Sequence, residues 1–471
     1  MEIPRACFLV ATMTGKFQAH ADFKSVDSMG NSDNRSSTES RPQSHESVSV
    51  SLVGAGQMES QTGAGSAKVA RLFRWLCIAL VVALLFPGLA FVHRYWKAAK
   101  ENWYASQCRE LRSARKWADL RRISEQWSAW DPSAIDAKLF DADASTHLQD
   151  FAAAAELLSS IPESHPKSLP SLVALSTMQF GPLGRPLDGA RTCERILRID
   201  HRATAAHQQL IEFYAVTLQR RKLEQQIRYA IDCSREPPKA YIYLFLMDTM
   251  RIAGASESNS RWLEQAAGSE LFEVARVLHM PEPDNGVKSP SGDDKFSLAD
   301  ALLRRFPHNL EVLAYKVDVS LRSGDIQEVM ALLSSLPAEA DDDNRFWRAK
   351  GWLHLNRNEL DKAQEALDHA ISLFRMDWSA RNLLADVLRK TGRLTEAEKL
   401  HELVQAARKL RTQINAIALD SDIPHEILRE LASLANQCGD VQVSDALNRR
   451  LGQTAPISGN AIDVDGHKTA K

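Results

Sequence analysis

Six cysteines, fourteen histidines and sixty acidic residues give this chain of 471 residues ample means for chemistry, so the question is spacing. Cys7, Cys77, Cys108, Cys193, Cys233 and Cys438 form no CxxC pair, which removes zinc ribbons and dithiol redox sites. Isolated buried thiols in helices are expected instead. His201 and His207 miss the i,i+4 spacing by which one helix face offers two imidazoles to a metal. His201 reads as a polar inter-helix residue. The run Asp341-Asp342-Asp343 could attract a cation, but carboxylates just before an apolar period also cap free N–H groups and favour the helix dipole. Gly54 and Gly56 follow a short β-like run, yet a dinucleotide loop needs a third glycine where Glu59 stands. HExxH, GxSxG, P-loop and kinase-type sets are absent. No catalytic, cofactor-binding or metal-binding residue is therefore expected, no cofactor, and no enzyme. The formal net charge of −2 also argues against nucleic acid, whose phosphates call for a basic excess. Binding to a partner, of a kind these residues do not specify, stays open.

The elements that would carry such binding differ along the chain. Residues 1–70 are rich in Ser, Thr, Gly, Asn and Gln, too polar to offset ordering entropy, and are expected to be a disordered tail. Between Arg74 and His93 lie 18 uncharged residues, about 27 Å of helix and close to the hydrocarbon thickness of a bilayer. Trp75 at one end and Tyr95 with Trp96 at the other stand where interfacial aromatics belong. A transmembrane helix over 72–96 is expected. The competing reading is a signal peptide cleaved after Pro87-Gly88-Leu89-Ala90, against which stand the length of the run and its distance from Met1, unless the start is Met58. Lys68, Arg71 and Arg74 precede the run and Arg94, Lys97, Lys100, Arg109 and Arg112 follow it. This leans toward a cytoplasmic C-terminal part, but a large folded domain overrides so small a bias, and the side stays open.

Beyond residue 100 the chain repeats. Leu394, Leu360 and Ile326 are separated by steps of 34 residues, and the turn residues Gly392, Asn358 and Gly324 and the small residues Ala397, Ala363 and Val329 step with them. A constant period of this size marks a stacked array. Trp117, Phe151, Leu187 and Leu223 open earlier amphipathic runs at steps of 34, 36 and 36 residues, with Pro132, Pro166 and Pro238 closing three of the units. Small residues such as Gly351, Ala363 and Ala370 let paired helices approach, while Trp117, Trp127, Leu360 and Leu367 fill the gap to the next pair.

This arrangement resembles the tetratricopeptide repeat (TPR) family, whose pattern is W-x₂-L-G-x₂-Y, then A-x₃-F, then P. The unit 344–377 has Trp347, Gly351, His354 in the Tyr place, Ala363, Leu367 in the Phe place and Ala370; Lys350 and Arg375 depart from the usual Leu and Pro. The resemblance covers 101–240 and 310–411 well and 241–309 poorly. It implies an all-α, TPR-like α-solenoid after the transmembrane helix and tail. The expected domains are repeats over 101–280 (degenerate after 240), a linker or loop over 281–295, repeats over 296–452, and a disordered tail over 453–471. It also implies that the first helix of each hairpin lines a concave groove for an extended peptide or partner helix. The residues placed there are Arg322, Arg345, Arg348, Trp352, Asn382 and Arg389, beside Asp318, Asn356, Asp386 and Lys390. Guanidinium forks suit carboxylates, so an acidic peptide or a chain terminus could meet this face, but charged side chains are the norm on helical surfaces and an ordinary solvated face is the leading reading. The residue set of TPR domains that clamp a C-terminal carboxylate is not reproduced. The function implied is a membrane-anchored scaffold or adaptor. Alternatives are an envelope-assembly or secretion factor outside the cytoplasm, and an enzyme or enzyme subunit with its site in 241–309.

Overall fold

The computed structural model describes residues 92–281, 295–417 and 423–454. Among them every regular element is helical and no strand occurs. The expected tail at 1–70, the C-terminal tail beyond residue 454, nearly all of the 281–295 linker and the spanning segment up to residue 91 lie outside the described residues. No helix among those described is long and apolar enough to cross a membrane. The described residues fall into two compact units that divide between Leu148 and Gln149.

The first unit contains α1 (92–113), α2 (Trp117–Trp130) and α3 (Ile135–His147). Its core is aromatic and small in alternation: Tyr104, Cys108, Leu120, Trp127, Ala137 and Ala144. Tyr104 and Trp127 stack with ring centroids 5.8 Å apart. Small residues on α3 bring it close enough for Trp127 to fill the gap.

The second unit runs through α4 (Phe151–Ser159), α5 (Ser168–Phe180), α6 (Pro186–Ile199), α7 (Thr204–Val216), α8 (Arg220–Asp232) and α9 (Pro238–Phe245). It continues with α10 (Ala255–Gln265), α11 (Glu270–Leu278), α12 (Lys295–Arg305), α13 (Leu310–Ser323) and α14 (Ile326–Ser334). The last six are α15 (Asn344–Asn356), α16 (Leu360–Leu373), α17 (Trp378–Lys390), α18 (Leu394–Asn415), α19 (His425–Gln437) and α20 (Val441–Thr454). The repeat frame is visible in the turns. Gly324, Asn358, Gly392 and Gly439 all adopt a left-handed backbone, each two residues before the second helix of its hairpin. A side chain would meet nothing at Gly392, so glycine stands there for its backbone freedom alone. Pro238 does not close a unit: it is the first residue of α9, where its missing N–H goes unused. The run at Leu223 likewise begins earlier, at Arg220.

Gly351 has a different reason. A Cβ there would lie 2.6 Å from Cγ of Leu367 and 3.4 Å from the carbonyl oxygen of Ala363. Leu367 is fully buried on α16 and has nowhere to go. Overpacking of this kind costs about 1–3 kcal/mol, against about 1 kcal/mol gained in helix propensity. Thermal denaturation of Gly351→Ala is therefore expected to show net loss of stability; an unchanged midpoint would mean that α16 can yield.

The poorly matching stretch after residue 240 is core. Every side chain from Ala240 to Phe245 is buried, so α9 is apolar all round, the mark of an interior helix rather than one face of a repeat. At the end of α11, His279 donates from Nε2 to the Val216 carbonyl at 3.1 Å and accepts the Ile252 N–H on Nδ1 at 3.3 Å. Burial first, then the nearby charges of Lys295 and Arg220, hold its pKa down to about 4. Lys295 spends its ammonium on the carbonyls of Leu278 and Met280, at 2.9 and 3.0 Å, closing the buried C-terminal end of α11. His201 lies in the exposed turn between α6 and α7, a polar inter-helix residue as expected; His207 is buried like His279, bonded to the His201 carbonyl at 2.8 Å and to Gln226 at 2.7 Å.

Candidate partner-binding site

The first helices of the C-terminal hairpins, α13, α15 and α17, present two ends with different chemistry. Their N-terminal ends are consumed internally. Asp343 caps α15 by accepting the Arg345 N–H at 3.0 Å, and its carboxylate also takes the Arg345 guanidinium at 2.6 Å. The other edge of that guanidinium meets Glu311 in two bonds of 2.7 and 2.9 Å. Arg220 of α8 donates to the same Glu311 at 2.9 Å. Arg348 donates to Asp248 at 2.5 Å and to both oxygens of Asp377 at 2.9 Å. Asn344 adds a bond of 2.7 Å to Asp377, which also caps α17 through the Ala380 N–H at 2.8 Å. Burial works against the charges of Arg345 and Arg348, yet the surrounding carboxylates win and raise both pKa values. Three guanidiniums thus sit among four carboxylates, tying α13, α15 and α17 to α8 and to the short 3-10 turn Met247–Thr249. Trp378 packs on Phe245 in the same region, centroids 5.6 Å apart.

The C-terminal ends of α15 and α17 are open. They frame a groove of about 440 Å³ lined by Trp352, Leu355, Asn356, Leu383, Asp386, Arg389 and Lys390. Asn356 is oriented by a bond of 2.9 Å to the Trp352 carbonyl, and Arg389 bonds Asp386 one turn back. The indole supplies a flat apolar wall and the cations outnumber the single carboxylate.

Of the six residues expected to meet a partner, Trp352 and Arg389 share this groove. Arg345 and Arg348 do not: each is only 7% exposed and faces carboxylates of its own chain. Asn382 lies to one side, accepting from Arg408 at 3.3 Å. Arg322 is exposed on α13 and pairs with Asp318 at 3.2 Å. The reason for the split is position within the helix. Arg345 and Arg348, in the first two turns of α15, meet the returning chain, whereas Trp352 and Arg389, in the last two turns of α15 and α17, do not. Leu355 and Leu383 complete the groove floor and were not expected there; they follow the apolar stripe of each helix and read as core.

The three aspartates divide similarly. Asp343 is the partly buried cap of α15, while Asp341 and Asp342 stay out, on Lys350 at 3.5 Å and Arg221 at 2.9 Å. Lys350, unusual at its place, lays its ammonium 3.8 Å over the Trp347 ring. Among the described residues no group of three or more His, Cys, Asp or Glu could hold a metal ion. Burial pushes the thiols of Cys108 and Cys193 up to about 11 and about 12, so both stay protonated and unreactive at neutral pH.

Helical hairpins stacked in series, with small residues inside each hairpin and left-handed turns in register, define an α-solenoid of TPR type. Comparison with family models agrees: residues 296–353 and 348–409 each match a tetratricopeptide repeat model. No curated protein matches the chain. Among solved structures, the yeast Tom70 aligns with TM-score 0.27 and 12% identity, covering 75% of this chain and 88% of that one. A tetratricopeptide repeat protein from Parabacteroides merdae gives 0.26 and 13%, covering 54% and 98%. The APC/C hetero-tetramer Cut9-Hcn1 gives 0.27 and 14%, covering 74% and 71%.

Proposed function

We propose that this chain is a membrane-anchored scaffold whose C-terminal repeats hold an extended segment of a partner protein in the groove of Trp352, Asn356, Asp386 and Arg389. The observation that carries the reading is the groove itself, an open recess between two first helices that combines an indole, two leucines and a basic excess. An extended peptide with an acidic residue beside an apolar one fits that lining, because the guanidinium and ammonium meet the carboxylate while the indole covers the apolar side chain. The anchor rests on the uncharged run between Arg74 and His93.

A displayed random-peptide library selected on the full-length protein tests the groove. Enrichment of acidic–apolar pairs is expected, with binding weakened roughly tenfold by Trp352→Ala and by Arg389→Glu, as for residues at the centre of a contact. Enrichment that survives both substitutions would move the binding elsewhere. For the anchor, carbonate washing of cell membranes should leave the chain in the pellet; release into the wash would remove it.

A further inference from the structure

The first three turns of α1 carry large apolar side chains that their unit leaves uncovered. Val92, Tyr95, Trp96 and Trp103 are 63%, 72%, 54% and 52% exposed. At helical spacing Val92, Trp96, Ala99 and Trp103 fall on one stripe with Tyr95 at its margin, and the stripe ends in the polar Ser106 and Glu110. The opposite face, with Tyr104, Ala105 and Cys108, is the one buried in the core. From Val92 to Trp103 the stripe is about 17 Å long.

These rings are held in place. Trp96 meets Trp130 edge-on with centroids 6.1 Å apart, and the Lys100 ammonium lies 5.1 Å over Trp96 and 4.5 Å over Trp130. Trp103 sits edge-on to Tyr104 at 5.0 Å. Ordered, exposed aromatics in a row form a surface that loses little side-chain entropy on docking.

What covers that surface is indicated by the chain that enters it. The uncharged run from Trp75 joins the first turn of α1 directly, so a bilayer crossing would deliver the stripe to the plane where lipid meets water. Tyr and Trp gain there by sinking the ring while O–H and N–H stay wet. A helix standing upright would carry Trp103 about 17 Å past Val92, beyond the headgroups. A stripe on one side over three turns instead fits a helix lying in the interface. Building on the membrane-anchored reading, we propose that α1 lies along the lipid headgroup layer with Val92, Tyr95, Trp96 and Trp103 facing the bilayer.

The test uses the full-length protein in phosphatidylcholine vesicles brominated on the acyl chain near the headgroup, which quench nearby indoles. Of the ten tryptophans, Trp75, Trp96 and Trp103 are expected to be quenched. The Trp96→Phe/Trp103→Phe double variant should float with the vesicles and keep its unfolding midpoint, yet lose about half or more of the quenched amplitude. A double variant that floats with its quenched amplitude intact overturns the proposal and leaves the anchor standing; a stripe packed on a second copy of the chain gives this result. Failure of the parent protein to float overturns both.

Discussion

Asp377→Ala is expected to lower the unfolding free energy of the unit beginning at Gln149 by roughly 3–5 kcal/mol, the loss typical of breaking a buried ion pair from one side. Asp377 is fully buried. Burial pushes its carboxyl up while Arg348 pulls it down, and burial prevails. Removing it leaves the Arg348 charge in the interior with Asp248 alone, leaves the Asn344 amide only its longer bond of 3.4 Å to Asp248, and takes the cap from α17. Adding Arg348→Met to Asp377→Ala removes one charge of each sign, so the double variant should recover part of the loss, and the difference measures the coupling. Urea titration of the four proteins reads both quantities. A loss below about 1 kcal/mol for the alanine variant would mean that water enters and the network does not tie the helices together.

The second large effect is one of pH. His279 ionises at about 4 in the folded chain against an ordinary 6.5, because burial, Lys295 and Arg220 all disfavour the imidazolium. The neutral form is therefore the stabilising one. Its contribution is complete above pH 6.5 and is lost as pH falls toward 4, when the unfolded chain binds the proton first. Between about pH 7.5 and about pH 5 the loss is on the order of 2 kcal/mol, and nearer 3 by about pH 4. Burial lowers His207 as well, so it adds to the same window with the same sign. His279→Gln can still donate to Val216 and accept from Ile252, and should flatten the pH dependence to the His207 share. Denaturant midpoints across this range check it; equal slopes for parent and variant would show that His279 is protonated without cost.

The repeat was legible because two physical needs recur at a fixed step. A left-handed turn residue is glycine or asparagine at Gly324, Asn358 and Gly392, and a close helix crossing needs Gly351. Arg115, Gln149 and Leu218 adopt the same left-handed backbone, each two residues before a helix, so the conformation repeats where the residue type does not. The lining of the groove was legible in part: its polar residues and Trp352 were, while Leu355 and Leu383 were not. Periodicity tells which face of a helix a residue occupies, which sufficed for Trp352 and Arg389. It does not tell what returns to cover that face, and the partners of Arg345 and Arg348 include Asp248, 100 positions from Arg348. Nor could a repeat pattern reveal α9, whose role as an interior helix depends on elements far along the chain.

Those distant ties have a consequence for biogenesis. Arg228 on α8 grips Asp440 through two bonds of 3.0 and 3.2 Å, and Arg450 on α20 reaches the Glu236 carbonyl at 2.5 Å. An open solenoid can mature repeat by repeat as it leaves the ribosome. Here Phe245 of α9 lacks its Trp378 cover until that residue has been translated, and the ties of α8 and Glu236 wait for residues near 450. Nascent chains stalled before that point should bind chaperones at residues 238–250 and let go once the last hairpin emerges.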